Sequence, residues 1–210
     1  MQYSEPISTA FPGLHGRVLS VLARTQRALT GRAVAGLLPT PASASGVQKV
    51  LDDLVRNGLV IAEPVGRAKL YTLNREHVAT PAIEELAHLR ERLLSRLQSE
   101  AESWEVPAAA VWLFGSAARG QGGPHSDIDI LVVRPDEIAD ADPLWLAQLE
   151  TLADHATRWS GNRCDIVEYS SSELKRLVRR GERLVTELRR DAVHIAGTSP
   201  HKTLNRKTAG

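Results

Sequence analysis

Asp127 and Asp129 are separated by a single residue and open the apolar run 128–133. Residues two apart in an extended strand face the same way, so the two carboxylates leave one sheet surface together. Left alone, such neighbours repel and one of them tends to hold a proton. A divalent cation stabilises both as anions, and hard oxygen donors suit Mg²⁺ or Mn²⁺. A third carboxylate, Asp165, opens the run 165–168 and meets the pair from the side if the two strands are neighbours. Three such groups on one sheet can seat two ions, which clamp the attacking and leaving oxygens of an in-line phosphoryl transfer. Upstream, the run 111–114 ends at Gly115 and Ser116. At a strand-to-helix turn a missing side chain lets phosphate approach, and backbone N–H groups with the Ser116 hydroxyl can hold it.

The elements that must position these groups alternate between strand and helix. Strands are predicted at 111–114, 128–133 and 165–168, with a helix at 143–159 started by Asp142 and Pro143. Its stripe Trp145, Leu149, Leu152, Ala156, Trp159 assigns both tryptophans to the core rather than to base stacking. Ser170 and Glu173 form a capping box for a further helix, and the segment closes at 190–196. His125, in the loop beside the acidic pair, is given no catalytic role. Cys164 precedes Asp165 and by alternation faces the opposite side, as a small core residue.

The first part of the chain has another pattern. Leu14, Val18, Val21 and Leu22 fall at helical spacing, a short helix fits 31–38, and Val47, Val50, Leu51, Leu54 and Val55 form the apolar face of a third. Asn57 and Gly58 end that helix, and two β-like runs, 59–61 and 70–73, flank a turn carrying Arg67 and Lys69. Up to Thr80 nine basic residues stand against five acidic ones, an excess that favours phosphate, whereas the whole chain carries a net charge of only +1. Thr80 as cap and Pro81 at the first position begin a long helix to about Ser103 with the stripe Ile83, Leu86, Leu93, Leu94, Leu97. Such a connector joins domains or pairs with its own copy in a homodimer. Lys175, Arg176, Arg179, Arg180 and Arg183 form a second basic cluster, which is either a solvated helix face or a further site of local positive charge.

Two resemblances follow. SGVQKVLDDLVRNGLV with GRAKLYTLN resembles the winged helix-turn-helix family over about residues 13–76. That resemblance implies binding of duplex DNA, with Ser43, Ser45, Gln48 and Lys49 turned toward base edges and Arg67 and Lys69 on phosphate. GSAARGQGGPHSDIDILVV with CDIVEYS resembles the minimal members of the polymerase-beta-type nucleotidyltransferase superfamily over about residues 104–197. It implies that Gly115, Ser116 and Ser126 bind the triphosphate and that Arg119 supports the phosphates or the loop. Asp127, Asp129 and Asp165 would hold Mg²⁺ or Mn²⁺, and Asp165 would also assist the attacking hydroxyl.

The expected fold is therefore a two-domain α+β or α/β protein. It comprises a winged helix over 1–80, a connector helix over 81–103, a nucleotidyltransferase domain with a small mixed sheet over 104–197, and a flexible tail over 198–210. The expected activity is transfer of a nucleoside monophosphate from an NTP to a hydroxyl acceptor whose identity stays open, a partner protein or RNA being candidates. The alternative is a DNA-binding regulator or antitoxin-like protein that senses nucleotide without turnover. The short apolar runs predict no membrane span, and the absence of a basic-then-apolar opening predicts a cytoplasmic protein. The single cysteine excludes an internal disulfide or a thiolate-rich zinc site.

Overall fold

In the computed structural model, which describes residues 1–123 and 125–205, the chain divides into two units. One is Gln2–Arg90; the other is Glu91–Gly210, with Met1 counted in it. In the first unit a 3₁₀ turn, Pro6–Thr9, precedes α1 (Leu14–Ala23), β1 (Leu29–Thr30), α2 (Gly31–Leu37) and α3 (Ala44–Arg56). The hairpin β2 (Val60–Val65) and β3 (Ala68–Leu73) follows, then α4 (Thr80–Ala87). Val47, Val50, Leu51 and Leu54, one face of α3, are buried with Val18, Leu22 and Val34. Each fully buried Val or Leu contributes roughly 1.5–3 kcal/mol relative to exposure, which holds this small unit together. Its sheet runs β1-β3-β2, all antiparallel. The two-residue β1 is too short to leave a periodic signal in the sequence.

The connector expected over 81–103 is two helices rather than one. Ile83 and Ala87 of α4 are buried in the first unit's core, and the Arg24 guanidinium donates to Ala87 O at 2.6 and 3.1 Å. His88 leaves helical geometry there, and α5 (Leu89–Glu102) starts afresh. Thr80 is not the cap either: Ala79 is, and the Thr80 hydroxyl donates to Asn74 O at 2.6 Å.

In the second unit α5 is followed by β4 (Ala110–Phe114), α6 (Gly115–Ala118), β5 (Ile128–Arg134), α7 (Pro143–Ser160) and β6 (Cys164–Ser170). The chain continues through α8 (Ser171–Arg180), α9 (Arg183–Asp191), β7 (Val193–Gly197) and α10 (Pro200–Leu204). The sheet order is β6-β5-β4-β7, with β5 and β6 parallel and the other pairs antiparallel. Parallel neighbours need a crossover, and α7 supplies it. Asp142 caps α7 by accepting from Trp145 N–H at 2.9 Å, and Trp145 is wholly buried with its indole N–H on Glu168 at 3.0 Å.

Leu93 and Leu97 of α5 are buried, and Glu100 of α5 meets His155 of α7 at 2.9 Å. The capping box of α8 forms in both directions, Ser170 N–H to Glu173 at 2.8 Å and Glu173 N–H to Ser170 Oγ at 3.2 Å. Of the tail expected over 198–210, residues 206–210 lie outside the described ones, and 200–204 form α10 instead of a loose strand of chain. Leu204 is buried in the sheet's core, and Arg189 donates to its carbonyl at 2.9 and 3.2 Å. Among the described residues no helix is long and apolar enough to cross a membrane.

Candidate active site

The β5–α7–β6 crossover decides which carboxylates meet. In the parallel register Asp129 stands opposite Asp165, so the two side chains leave the same face of strands roughly 4.8 Å apart. Asp127 lies two residues before Asp129, just ahead of β5. Burial first, then the charges of Asp127 and Asp165, push the Asp129 carboxyl above its ordinary range, while Arg119 pulls it the other way. The three carboxylates therefore feel one another, as the alternation argument requires.

Gly115 closes the site from β4. Phe114 pairs with Asp129 across the antiparallel ladder, and Gly115 follows at φ +70, the left-handed region. A Cβ at position 115 would overlap the Asp129 carboxylate oxygen and lie 3.2 Å from its Cγ. Only glycine lets this backbone lie against that carboxylate. Ser116 follows in the first turn of α6, and its carbonyl accepts from Gln121 N–H at 3.0 Å.

The loop that carries the acidic pair is tied down in part by Asn162, a residue no motif singles out. Asn162, buried just beyond α7, donates to Ser126 O at 2.8 Å and Gly123 O at 3.0 Å. Arg163 O accepts from Ile128 N–H at 2.8 Å. Ser126, expected at the nucleotide, uses its hydroxyl to accept from Gly123 N–H at 3.0 Å. Arg119 donates to Asp191 at 2.6 Å and to Gln121 at 2.8 Å, which anchors the loop to the end of α9.

Arg190, and after it Arg119, hold the Asp191 carboxyl down to about 2, against an ordinary value near 3.8. A carboxyl depressed on folding adds stability that is complete above the unfolded value and vanishes as pH falls through the folded one. The stability difference between wild type and Asp191→Asn should therefore shrink between about pH 4 and pH 2, read by acid titration of the unfolding midpoint.

Arg163 was not anticipated. Its guanidinium forms a two-pronged pair with Asp165, 2.6 Å from Nη2 to Oδ2 and 2.9 Å from Nε to Oδ1. Among the described residues no three His, Cys, Asp or Glu side chains are gathered closely enough to hold an ion in this arrangement. The donor set still fits a hard divalent cation: three carboxylates, mutually repelling, with an arginine already neutralising one of them. Both Asp165 and Arg163 are well exposed in this pair, so its exchange for another cation carries a small cost.

Residues 90–191 match the family model of the nucleotidyltransferase domain. The match runs from the start of α5 to the end of α9 and spans Gly115, Ser116 and all three aspartates. No curated protein is significantly similar to the chain. Among solved structures, the chain resembles a toxin–antitoxin with AMP-PNP at 20% identity, over 54% of this chain and 83% of that one, with a TM-score of 0.34. It also resembles a variant of the toxin–antitoxin MntA–HpeT, at 23% identity over 54% and 82% with a TM-score of 0.33. TrmBL2, an archaeal chromatin protein, is similar at 16% identity over 90% and 78% with a TM-score of 0.31.

Within residues 90–191 Cys164 is buried, and burial first, then Asp165 and Asp129, push its thiol up to about 12. Thiolate is the reacting form, so iodoacetamide at pH 8 should label Cys164 only after unfolding, as read by mass spectrometry.

The residues expected on DNA are placed unequally in the first unit. Ser43 caps α3, its hydroxyl accepting from Gly46 N–H at 3.1 Å, and Gln48 donates to Asp52 at 2.9 Å and Tyr71 at 2.8 Å. Ser45, Lys49, Arg67 and Lys69 are exposed, the last two at the hairpin tip.

Proposed function

We propose that the second unit is a metal-dependent nucleotidyltransferase that moves a nucleoside monophosphate from an NTP to a hydroxyl acceptor, releasing pyrophosphate. The observation that carries this reading is the register pair Asp129–Asp165, with Asp127 two residues away and Gly115 against the Asp129 carboxylate. In the reaction the acceptor oxygen forms a bond to the α-phosphorus, the bond to the bridging oxygen of the β-phosphate breaks, and that oxygen leaves with the electron pair on pyrophosphate. A divalent cation held by the three aspartates would neutralise charge on the phosphates. Gly115 and Ser116 bind the triphosphate at the turn, and Asp165 orients the acceptor hydroxyl and takes its proton. Arg119 and Asn162 hold the two loops in place. Incubation with labelled triphosphates, Mg²⁺ and cell extract should label an acceptor, and the labelled species identifies it.

A second reading is a regulator that binds nucleotide without turnover. It draws on the Arg163–Asp165 pair, which occupies the third carboxylate. Binding of labelled triphosphate with no labelled acceptor and no pyrophosphate would favour it.

For the first unit we propose a winged helix-turn-helix that binds duplex DNA. Support comes from the three helices and hairpin in that order, with Ser45 and Lys49 near the exposed start of α3 and Arg67 and Lys69 on the hairpin. Affinity for a genomic fragment pool should fall with salt at a slope of roughly 0.9 per phosphate contacted, and the double variant Arg67→Ala, Lys69→Ala should make that slope shallower by about 2. No binding at low salt would reassign the unit to protein docking.

A further inference from the structure

We propose a second ligand site in the nucleotidyltransferase unit, at the end of the sheet remote from the aspartates, for a small amphiphilic anion. A cavity of about 930 Å³ opens between α8 and α10, within the range of small-molecule sites. Ala110 and Val133, paired across β4 and β5, line its base. Phe114 and Asp129 close the same ladder at its other end, four residues along, or about 13 Å away. The cavity is therefore separate from the carboxylates.

The lining has two chemistries. Leu174 and Val178 of α8 join Ala110 and Val133 as an apolar floor that is part of the sheet's own core. Lys175 and Arg179, on the same face of α8, stand with His201 and Lys202 of α10 as a cationic rim, all four exposed. No carboxylate lines the cavity among the described residues. The acid that faces Lys175 is Asp136, which accepts from Ser172 N–H at 2.8 Å. Lys175, Arg179 and Lys202 thus gather fixed positive charge above an apolar floor, a setting that favours an anion. The walls are fixed in advance by the α8 capping box and by Arg189 on Leu204 O. The basic stretch of α8 is thus more than a solvated face. It matches a carboxylate or phosphate head group on a compact apolar body.

The full chain titrated with 1-anilinonaphthalene-8-sulfonate should show one saturable fluorescent site. Octyl phosphate and octanoate should displace the probe, the stronger of the two identifying the head group, whereas octanol should not. The double variant Lys175→Glu, Arg179→Glu and the single variant Lys202→Glu, all at exposed positions, should each weaken binding roughly tenfold or more. Val178→Trp, which fills the cavity, should abolish it. Unchanged probe affinity in both charge variants with unaltered melting curves, or displacement by octanol as effective as by the anions, would overturn the proposal.

Discussion

Asp129→Asn is expected to lower nucleotidyl transfer at least about 100-fold, some 2.7 kcal/mol of barrier, with Asp127→Asn close behind. The two groups lie where charge must be neutralised, and an amide cannot replace an anionic oxygen ligand to a hard cation. Folding predicts the opposite sign. Burial and two neighbouring carboxylates push the Asp129 carboxyl up, so its ionised form is disfavoured in the folded chain. For an acid raised on folding the penalty is absent below the unfolded pKa and grows as pH rises through the folded one. At pH 7 without added metal, Asp129→Asn should melt at or above the wild-type temperature. Lost transfer with retained stability, measured by label incorporation and thermal unfolding, would mark Asp129 as a residue kept for chemistry.

Gly115→Ala should fail on both counts. A side chain at φ +70 costs roughly 1–2 kcal/mol, and the added Cβ overlaps the Asp129 carboxylate oxygen. The carboxylate must move away, so transfer should also fall by about 100-fold or more, while the melting temperature drops by several degrees. Gly181→Ala separates the two causes. Gly181 has a similar φ of +66 with open space around it, so its substitution should carry the backbone cost with transfer intact. Equal transfer in the two alanine variants would show that contact with Asp129 is not needed.

Strand alternation made Asp127 and Asp129 legible as a pair, and the apolar run after Asp165 marked a strand. Whether that strand would be a neighbour depended on α7 carrying the chain into a parallel register, which no local pattern specifies. Asn162 is illegible for a related reason: its partners, the carbonyls at 123 and 126, are set by tertiary packing, whereas Arg163 meets Asp165 only two residues along the same stretch, a local pair that the spacing could have shown. The connector looked continuous because its apolar spacing hardly changes at His88. At the break the Ala87 carbonyl is held by Arg24, which is distant in sequence. β7 and α10 were missed because Val193–Gly197 and Pro200–Leu204 mix apolar and polar positions with no clear period, although Leu204 is almost wholly buried. The amphipathic α3 and the capping box of α8, whose signals are local, stand where the sequence put them.

The most direct measurement is the binding of Mn²⁺ with a non-hydrolysable triphosphate, followed by the loss of free Mn²⁺ signal in electron paramagnetic resonance, because it needs no acceptor. The account predicts saturable binding by the wild type that collapses in Asp127→Asn and Asp129→Asn. Binding of equal strength in all three proteins, or none in the wild type, would contradict it.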